Sequence, residues 1–533
     1  MTFKMDYDFR HPDLRYTVLT DGTVYMRGFF YWKENFVESS TLSDHFTCED
    51  LSNPNLLDEI NGEFCLVIIP SEGSPVLVVD KVRTIPLFYK QLTGGWLIKD
   101  FLYEEGTPLD ECATQQFLHT GYTFHNKTLY QEWQQVPTSH VVILKQDVAI
   151  QHRYFSYSNE PSSKTIEELS DEFSKVLHEV FDDAVKRIGN KKVILPLSGG
   201  NDSRLLALLL RERLPASQFL SFTYGVKGNE ESSVSKKIAD SLQIEWKFIE
   251  YDETMWKTIY SSEQWEEYVK YALMGGSIPH IQDFPSVVKL SRDFKWDANE
   301  VVFMPGHTAD MLVGGHIPPE LAFSEHLTQL DLEKAIQKKH YRLWQSKPNK
   351  TEGLLKEYYQ EWSTRTTWTP TLTSLAFDQW NIENRQSKFI VNSLRVYEYF
   401  QQSWTLPFWD TRLITFFSKV PVEFKYDKYL YLYTLHKMYP DYFPKPKSTT
   451  QTISLNQKFG VFYRPLKWLF HKRNHLQRYF TDPMNWYKIY PSYSDYLKRL
   501  AFNRKGVRYA NPYNVNSFIV QDVLRKIEAG TKR

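Results

Sequence analysis

The chain has 533 residues, more than one hydrophobic core usually serves, so two or more domains are expected. Hydrophobic residues make up 42% and charged residues 24%, which excludes disordered and fibrous classes, and 64 basic against 64 acidic side chains leave no positive footprint for a nucleic acid. Cys48, Cys65 and Cys112 are too few and too scattered for a disulfide framework or a zinc site, and suit a reducing cytoplasm. The first residues are charged and lack the apolar core of a signal peptide. The most apolar stretch, Phe64 to Pro70, is far short of the roughly 20 residues that span a bilayer, so a soluble protein is expected.

Residues 1 to about 155 read as β-rich. Asp21-Gly22 lies between two alternating runs, a hairpin pattern, and EFCLVIIP and SPVLVVDKV form a buried pair around Glu72-Gly73-Ser74. The polar stretch 156–164 suits a linker. The period then changes: Ile166, Leu169, Phe173, Val176, Leu177, Val180, Phe181, Ala184 and Ile188 mark a long amphipathic helix, capped near Thr165 and stopped by Gly189-Asn190. Short apolar runs at 193–195, 219–224, 247–249 and 301–304, with helical segments between them, predict a parallel sheet covered by helices. From about residue 320 the pattern is mostly helical and rich in Trp and Tyr, with no internal repeat.

The chemistry concentrates after the first of those runs, where VILPL leads into Ser198-Gly199-Gly200-Asn201-Asp202-Ser203 and RLLALLLRERL continues as a helix. Strand, glycine loop and helix in that order bring backbone amides and a helix N-terminus to phosphate oxygens. Gly199 and Gly200 let a phosphate approach closely, and Ser198 and Ser203 add hydroxyl donors. Asp202 cannot meet a phosphate favourably by itself, so it implies a magnesium ion between them. The GxxxxGK[ST] loop that handles γ-phosphates does not occur.

SGGxDS resembles the pyrophosphate loop of the N-type ATP pyrophosphatases, and the surrounding chain resembles the asparagine synthetase family. LSGGNDS stands where that family has LSGGLDS, SFTYGV resembles FSVGF, and PGHTADMLVGGH resembles SGEGADELFGGY, with Gly306, Ala309, Asp310, Leu312, Gly314 and Gly315 in register. PFWD at 407–410 resembles PFLD and Pro446-Lys447 resembles RPK, while INGEFCLVI and VDKVRTIPLFY resemble segments of the family's first domain. The resemblance implies an α/β protein. A degenerate N-terminal-nucleophile (Ntn-type) αββα sandwich would occupy residues 1–155. A PP-loop ATP pyrophosphatase domain, a parallel sheet flanked by helices with a helical C-terminal extension, would occupy 165–533. It also implies ATP and Mg2+ as cofactors. Ser198, Gly199, Gly200 and Ser203 would bind pyrophosphate, Asp202 and Asp310 would hold the magnesium, and Leu197, Tyr224 and Gly306 would border the adenosine. Lys447 would neutralise the charge that builds on the leaving pyrophosphate.

Two departures qualify this. Glutamine-hydrolysing members begin Met-Cys-Gly and use the exposed cysteine as nucleophile, whereas this chain begins Met1-Thr2-Phe3 and lacks the family's glutamine-site segments, so a first domain without glutaminase activity is expected. His307 stands where asparagine synthetase has glutamate and β-lactam synthetases a tyrosine; it would face the reacting acyl group, either as general base or merely bonding loop backbone. Glu398 is a candidate partner carboxylate for His307, and Met311 replaces an acidic residue, which opens acids other than aspartate. A zinc reading of His307, Asp310 and His316 lacks a tetrahedral set. The basic and aromatic segment 463–480 reads as a solvated helix face or, more sharply, as a peripheral contact with an anionic membrane. The expected reaction is ATP-dependent amide formation through an acyl-adenylate, with ammonia or an amine, directly or from a separate glutaminase, displacing AMP. The expected substrate is a small-molecule or glycan carboxylate: GHTAD…GGHIP with NRQSKFIVNSLRVYE resembles asparagine synthetase relatives associated with bacterial surface polysaccharides, which implies a sugar carboxylate such as a hexuronic acid. Asparagine synthesis, β-lactam or lasso-type cyclisation and a non-catalytic binding protein are the alternatives.

Overall fold

The computed structural model describes residues 4–157, 160–344, 367–446 and 474–530, together with Leu355, Tyr358 and Trp362. The first part holds β1 (Lys4–Asp8), β2 (Arg15–Leu19), β3 (Gly22–Trp32), β4 (Asn35–Val37), β5 (Asn61–Pro70), β6 (Val76–Val79), β7 (Phe88–Leu92), β8 (Gly95–Lys99), β9 (Trp133–Gln135), β10 (His140–Leu144) and β11 (Ala149–Arg153). They divide into a sheet ordered β1-β8-β7-β9 and a sheet ordered β11-β10-β6-β5-β3-β2, with β4 also on β3.

The alternation in β5 shows why these sheets stack. Phe64, Leu66 and Ile68 face one core together with Leu51 of helix α1 (Cys48–Ser52) and Leu57 of α2 (Pro54–Glu59). Cys65 and Val67 point the other way and meet Tyr89, Trp96 and Ile98 of the second sheet. Beyond that sheet, Phe88 and Trp133 join the same apolar core as Phe117 and Leu118 of α3 (Glu111–Thr120). The layers are thus helix, sheet, sheet, helix. The expected turn at Asp21-Gly22 joins β2 to β3, and β5 pairs antiparallel with β6.

The second part begins with α4 (Ile166–Ile188). Thr165 caps it: its hydroxyl accepts from the Glu168 amide and the Glu168 carboxylate accepts from the Thr165 amide, which satisfies two of the helix's orphan donors. β12 (Lys192–Pro196), β13 (Phe219–Gly225), β14 (Glu245–Glu250), β15 (Val301–Phe303) and β16 (Ser403–Trp404) form a parallel sheet ordered β14-β13-β12-β15-β16. Its central strand is buried from Val193 to Leu195, as a strand covered on both faces must be. Helices α5 (Asn201–Arg211) and α6 (Glu230–Leu242) are among those that cover it.

The C-terminal region is mainly helical, with two exceptions that the residue pattern did not announce. Ser403-Trp404 adds the edge strand β16, too short for any periodicity to show. Residues 501–510 form a small hairpin of Ala501–Arg504 with Val507–Ala510. Among the described residues no helix is long and apolar enough to cross a membrane.

Candidate functional site

The loop at 198–203 leaves the C-terminal edge of β12 and enters α5, whose N-cap is Gly200. Its shape is fixed by its own serines. Ser203 Oγ accepts from the Ser198 amide at 3.1 Å and lies 3.0 Å from Ser198 Oγ, and Ser198 Oγ accepts from the Gly200 amide at 3.2 Å. Arg204 holds the loop from outside, donating to the carbonyls of Gly199 (3.0 Å) and Tyr442 (2.6 Å). Gly200 brings no side chain to cap α5, which leaves the helix's first amides for another acceptor, the arrangement that receives an anionic oxygen.

A second loop, after β15, closes on the first. Gly306 lies so near that a Cβ there would sit 3.1 Å from the Ser203 amide nitrogen. Thr308 adopts φ +76°, a strained conformation for a β-branched residue, and its hydroxyl bonds the His307 carbonyl. That turn brings Asp310 beside Asp202. Burial, and then the charge of Asp310, raise the Asp202 carboxyl to about 6, against the hydrogen bond it accepts from Tyr431 (2.8 Å). Asp310 is held well below the usual carboxylate range by His316 Nε2 at 3.3 Å and Lys428 Nζ at 2.7 Å. Asn381 Nδ2 lies 3.0 Å from His316 Nδ1; donating there, it leaves the imidazole hydrogen on Nε2, toward Asp310.

This donor set fits the expected magnesium. The charge of Asp310 disfavours that of Asp202, and a hard cation between them would relieve it. Among the described residues no group of three or more His, Cys, Asp or Glu is placed to hold a metal, so a zinc-type cage is not formed. Magnesium needs fewer, since it completes its shell with water and phosphate.

The other expected residues separate. Leu197 is buried under the loop, and its carbonyl accepts from Thr223. Tyr224 ends β13 half-buried, stacked on Tyr251 at 4.9 Å, and donates to Asp283 Oδ1 at 2.6 Å. His307 lies on the second loop near His280, ring centroids 6.1 Å apart. Burial, and then the charge of His280, push its pKa down to about 4, and its Nε2 is buried without a hydrogen-bond partner. Glu398 is not brought to His307, a correction to the expected pairing. Its carboxylate is enclosed by Arg27, Arg395 (2.9 Å), Tyr271 (3.2 Å) and Trp404 (2.8 Å) at the junction with the first sheets. Burial would raise this carboxyl, but the two arginines hold it at about 2. Thr2, Lys447 and residues 463–473 lie outside the described residues.

Lys428, Tyr431, His280 and Asp283 were not foreseen. Lys428 and Tyr431 sit in an aromatic run more than 200 residues after the loop, where nothing local distinguishes them from a helix surface.

The family model for asparagine synthase matches residues 176–451, just over half of the chain and all of the loops just described. Among curated proteins none matches. Of solved structures, an NH3-dependent NAD synthetase from Campylobacter jejuni in complex with the nitrate ion is 17% identical, covers 41% of this chain and 94% of that one, and has a TM-score of 0.22. A predicted subunit of a tRNA methyltransferase from Methanocaldococcus jannaschii is 12% identical, covers 34% and 90%, and scores 0.15. Such low scores add nothing to the site's geometry. The family match carries the assignment: the chain belongs to the asparagine synthase family, ATP-dependent enzymes that join carbon to nitrogen.

Proposed function

We propose that the chain activates a carboxylate other than aspartate, a sugar carboxylate such as a hexuronic acid, and converts it to an amide. The observation that carries the activation step is the meeting of Asp202 and Asp310 at the mouth of the 198–203 loop, above the open N-terminus of α5. Two carboxylates beside the start of a helix that receives anions suit the holding of a cation and a polyphosphate.

In this reading the substrate carboxylate attacks the α-phosphorus, the bond to the bridging oxygen breaks, and pyrophosphate leaves onto the amides of α5 with Ser198 and Ser203 as further donors. Asp202 and Asp310 would hold magnesium, which would supply charge neutralisation at the phosphates. Lys428 and His316 orient Asp310, and Tyr431 orients Asp202. Tyr224, Leu197 and Gly306 border the nucleoside, and Lys447 meets the charge building on pyrophosphate, where a positive group stabilises the transition state more than the ground state. Ammonia or an amine then attacks the acyl carbon and AMP departs. An acid other than aspartate is supported by Met311, a buried thioether where aspartate-using relatives carry an acidic residue, and by His307 in place of glutamate, while the sugar carboxylate is what the resemblance implies. The first domain acts without glutaminase chemistry, the nitrogen arriving as free ammonia or from a separate protein.

ATP–pyrophosphate exchange measured with hexuronic acids, aspartate and peptides tests the reading. Exchange with a uronic acid is expected; exchange with aspartate alone would make the chain an asparagine-forming enzyme instead. Release of glutamate from glutamine, coupled to ATP use, would overturn the inactive first domain.

A further inference from the structure

Beside the nucleotide loops the structure holds a second group of titratable side chains. The segment 272–284 is buried except at His280 and Gln282, and the segment 301–309 is buried except at Gly306 and His307. The two partly exposed histidines lie side by side, ring centroids 6.1 Å apart and nearly perpendicular. Behind His280 lies Asp283, 4% exposed, with Oδ1 at 3.6 Å from His280 Nε2. Its two oxygens accept from Tyr224 (2.6 Å) and Tyr397 (2.7 Å). Burial works against ionisation there, but the contacts with His280, then with the two tyrosines, hold the carboxyl well below its usual range. Tyr268 fixes the backbone of His280, its hydroxyl donating to the His280 carbonyl at 2.7 Å. A carboxylate pinned by two tyrosines beside the Nε2 of a partly exposed imidazole can orient a histidine base, leave its Nδ1 for a proton and stabilise the imidazolium it becomes.

We propose that His280, positioned by Asp283, is the base that takes the proton from the amine attacking the acyl-adenylate; this rests on the amide-forming reading above. The other groups at hand do not serve. His307 is a weak base whose Nε2 is hidden, Glu398 is saturated by its four donors, and Tyr224 and Tyr397 are engaged with Asp283. In the step itself the nitrogen lone pair forms the C–N bond and the proton passes from nitrogen to His280. The bond between the acyl carbon and the phosphate oxygen then breaks, and its electron pair leaves with AMP. His307, neutral beside the base, lets the imidazolium form without a neighbouring positive charge.

The test uses the full chain, His280→Gln and Asp283→Asn, with the acid that supports exchange in the unaltered protein. Two rates are compared: ATP–pyrophosphate exchange, which reports activation, and amide formation with ammonium. His280→Gln is expected to cut amide formation by 100-fold or more beyond any effect on exchange, in the range that loss of a general base gives. The rise of the amide-forming rate with pH should flatten at the same time. Hydroxylamine, unprotonated at neutral pH, should restore most of the lost rate. Asp283→Asn should act in the same direction more weakly. Equal losses in both rates, or amide formation at the unaltered rate, would overturn the role of His280 while leaving the activation reading intact. Absence of exchange with every acid in the unaltered protein would overturn both.

Discussion

Half-buried Asp202 and buried Glu63 are carboxylates whose environments make opposite demands on function and stability. The Asp202 carboxyl titrates near 6 because burial and Asp310 disfavour its charge, so at neutral pH the free protein carries an unfavourable anion. A group raised in this way contributes most below its unfolded pKa and loses that contribution as pH rises through the folded value. Asp202→Asn keeps an acceptor for Tyr431 and removes the charge, so the free protein should gain about 1–2 kcal/mol at pH 7.5, read by urea denaturation. Exchange should fall at least about 100-fold, since the loop would lose its proposed cation ligand. Glu63 is the same physics without the site. Burial raises it to about 7, while the Leu406 amide (3.0 Å) works against that shift. Stability should therefore decline between pH 4.5 and 7, by on the order of 3 kcal/mol, and Glu63→Gln should flatten that slope. A slope unchanged in Glu63→Gln would assign the decline to other groups. His307 shows what the residue pattern could convey: its place on the loop after β15 was legible, but its low pKa comes from burial and then from His280, a neighbour distant in the chain.

At the scale of elements, the two loops work because glycine lets them approach. Gly306 has room for a Cβ only if the Ser203 amide yields by a few tenths of an ångström. Gly306→Ala should therefore move the second loop off the start of α5 and weaken ATP binding several-fold, read as a raised KM for ATP in exchange, with little change in unfolding midpoint. Gly314 is different: at φ +93° a Cβ would fall 2.1 Å from the Lys425 carbonyl, so Gly314→Ala should destabilise by 3 kcal/mol or more and is a poor probe of catalysis. These elements were largely legible in advance. α4, β12 to β15 and the loop between β12 and α5 announce themselves through period, capping and glycine spacing, all local signals. β16 and the 501–510 hairpin do not, because two- and four-residue strands are stabilised by the neighbours they pair with and leave no period of their own. The same reasoning covers Lys428 and Tyr431, whose importance lies in reaching Asp310 and Asp202 from a helix far along the chain.

Across the whole molecule, the first sheets are bound to the synthetase part by buried polar contacts as well as apolar ones. Arg27 of β3 and Arg395 share the Glu398 carboxylate, Arg395 Nη2 also donates to the Thr84 carbonyl at 2.9 Å, and Asn61 reaches Asp410 at 3.0 Å. Glu398 is thus the negative centre of a junction with two guanidinium groups, and its loss differs from the loss of either partner. Arg27→Met leaves Glu398 with Arg395, Tyr271 and Trp404, and the new side chain fills apolar space, so the cost should be about 1–2 kcal/mol. Glu398→Ala leaves two arginines buried without an anion and should cost about 3–5 kcal/mol. The neighbouring residue gives the junction a functional reach, because Tyr397 stacks on Phe303 at 4.2 Å and donates to Asp283. Through this contact the Glu398 junction braces Asp283, so Glu398→Ala should slow amide formation more than exchange and also lower the denaturation midpoint. Arg27→Met should do neither strongly. Denaturation curves and the two rates, measured on both variants, separate this from simple instability, in which exchange and amide formation would fall together.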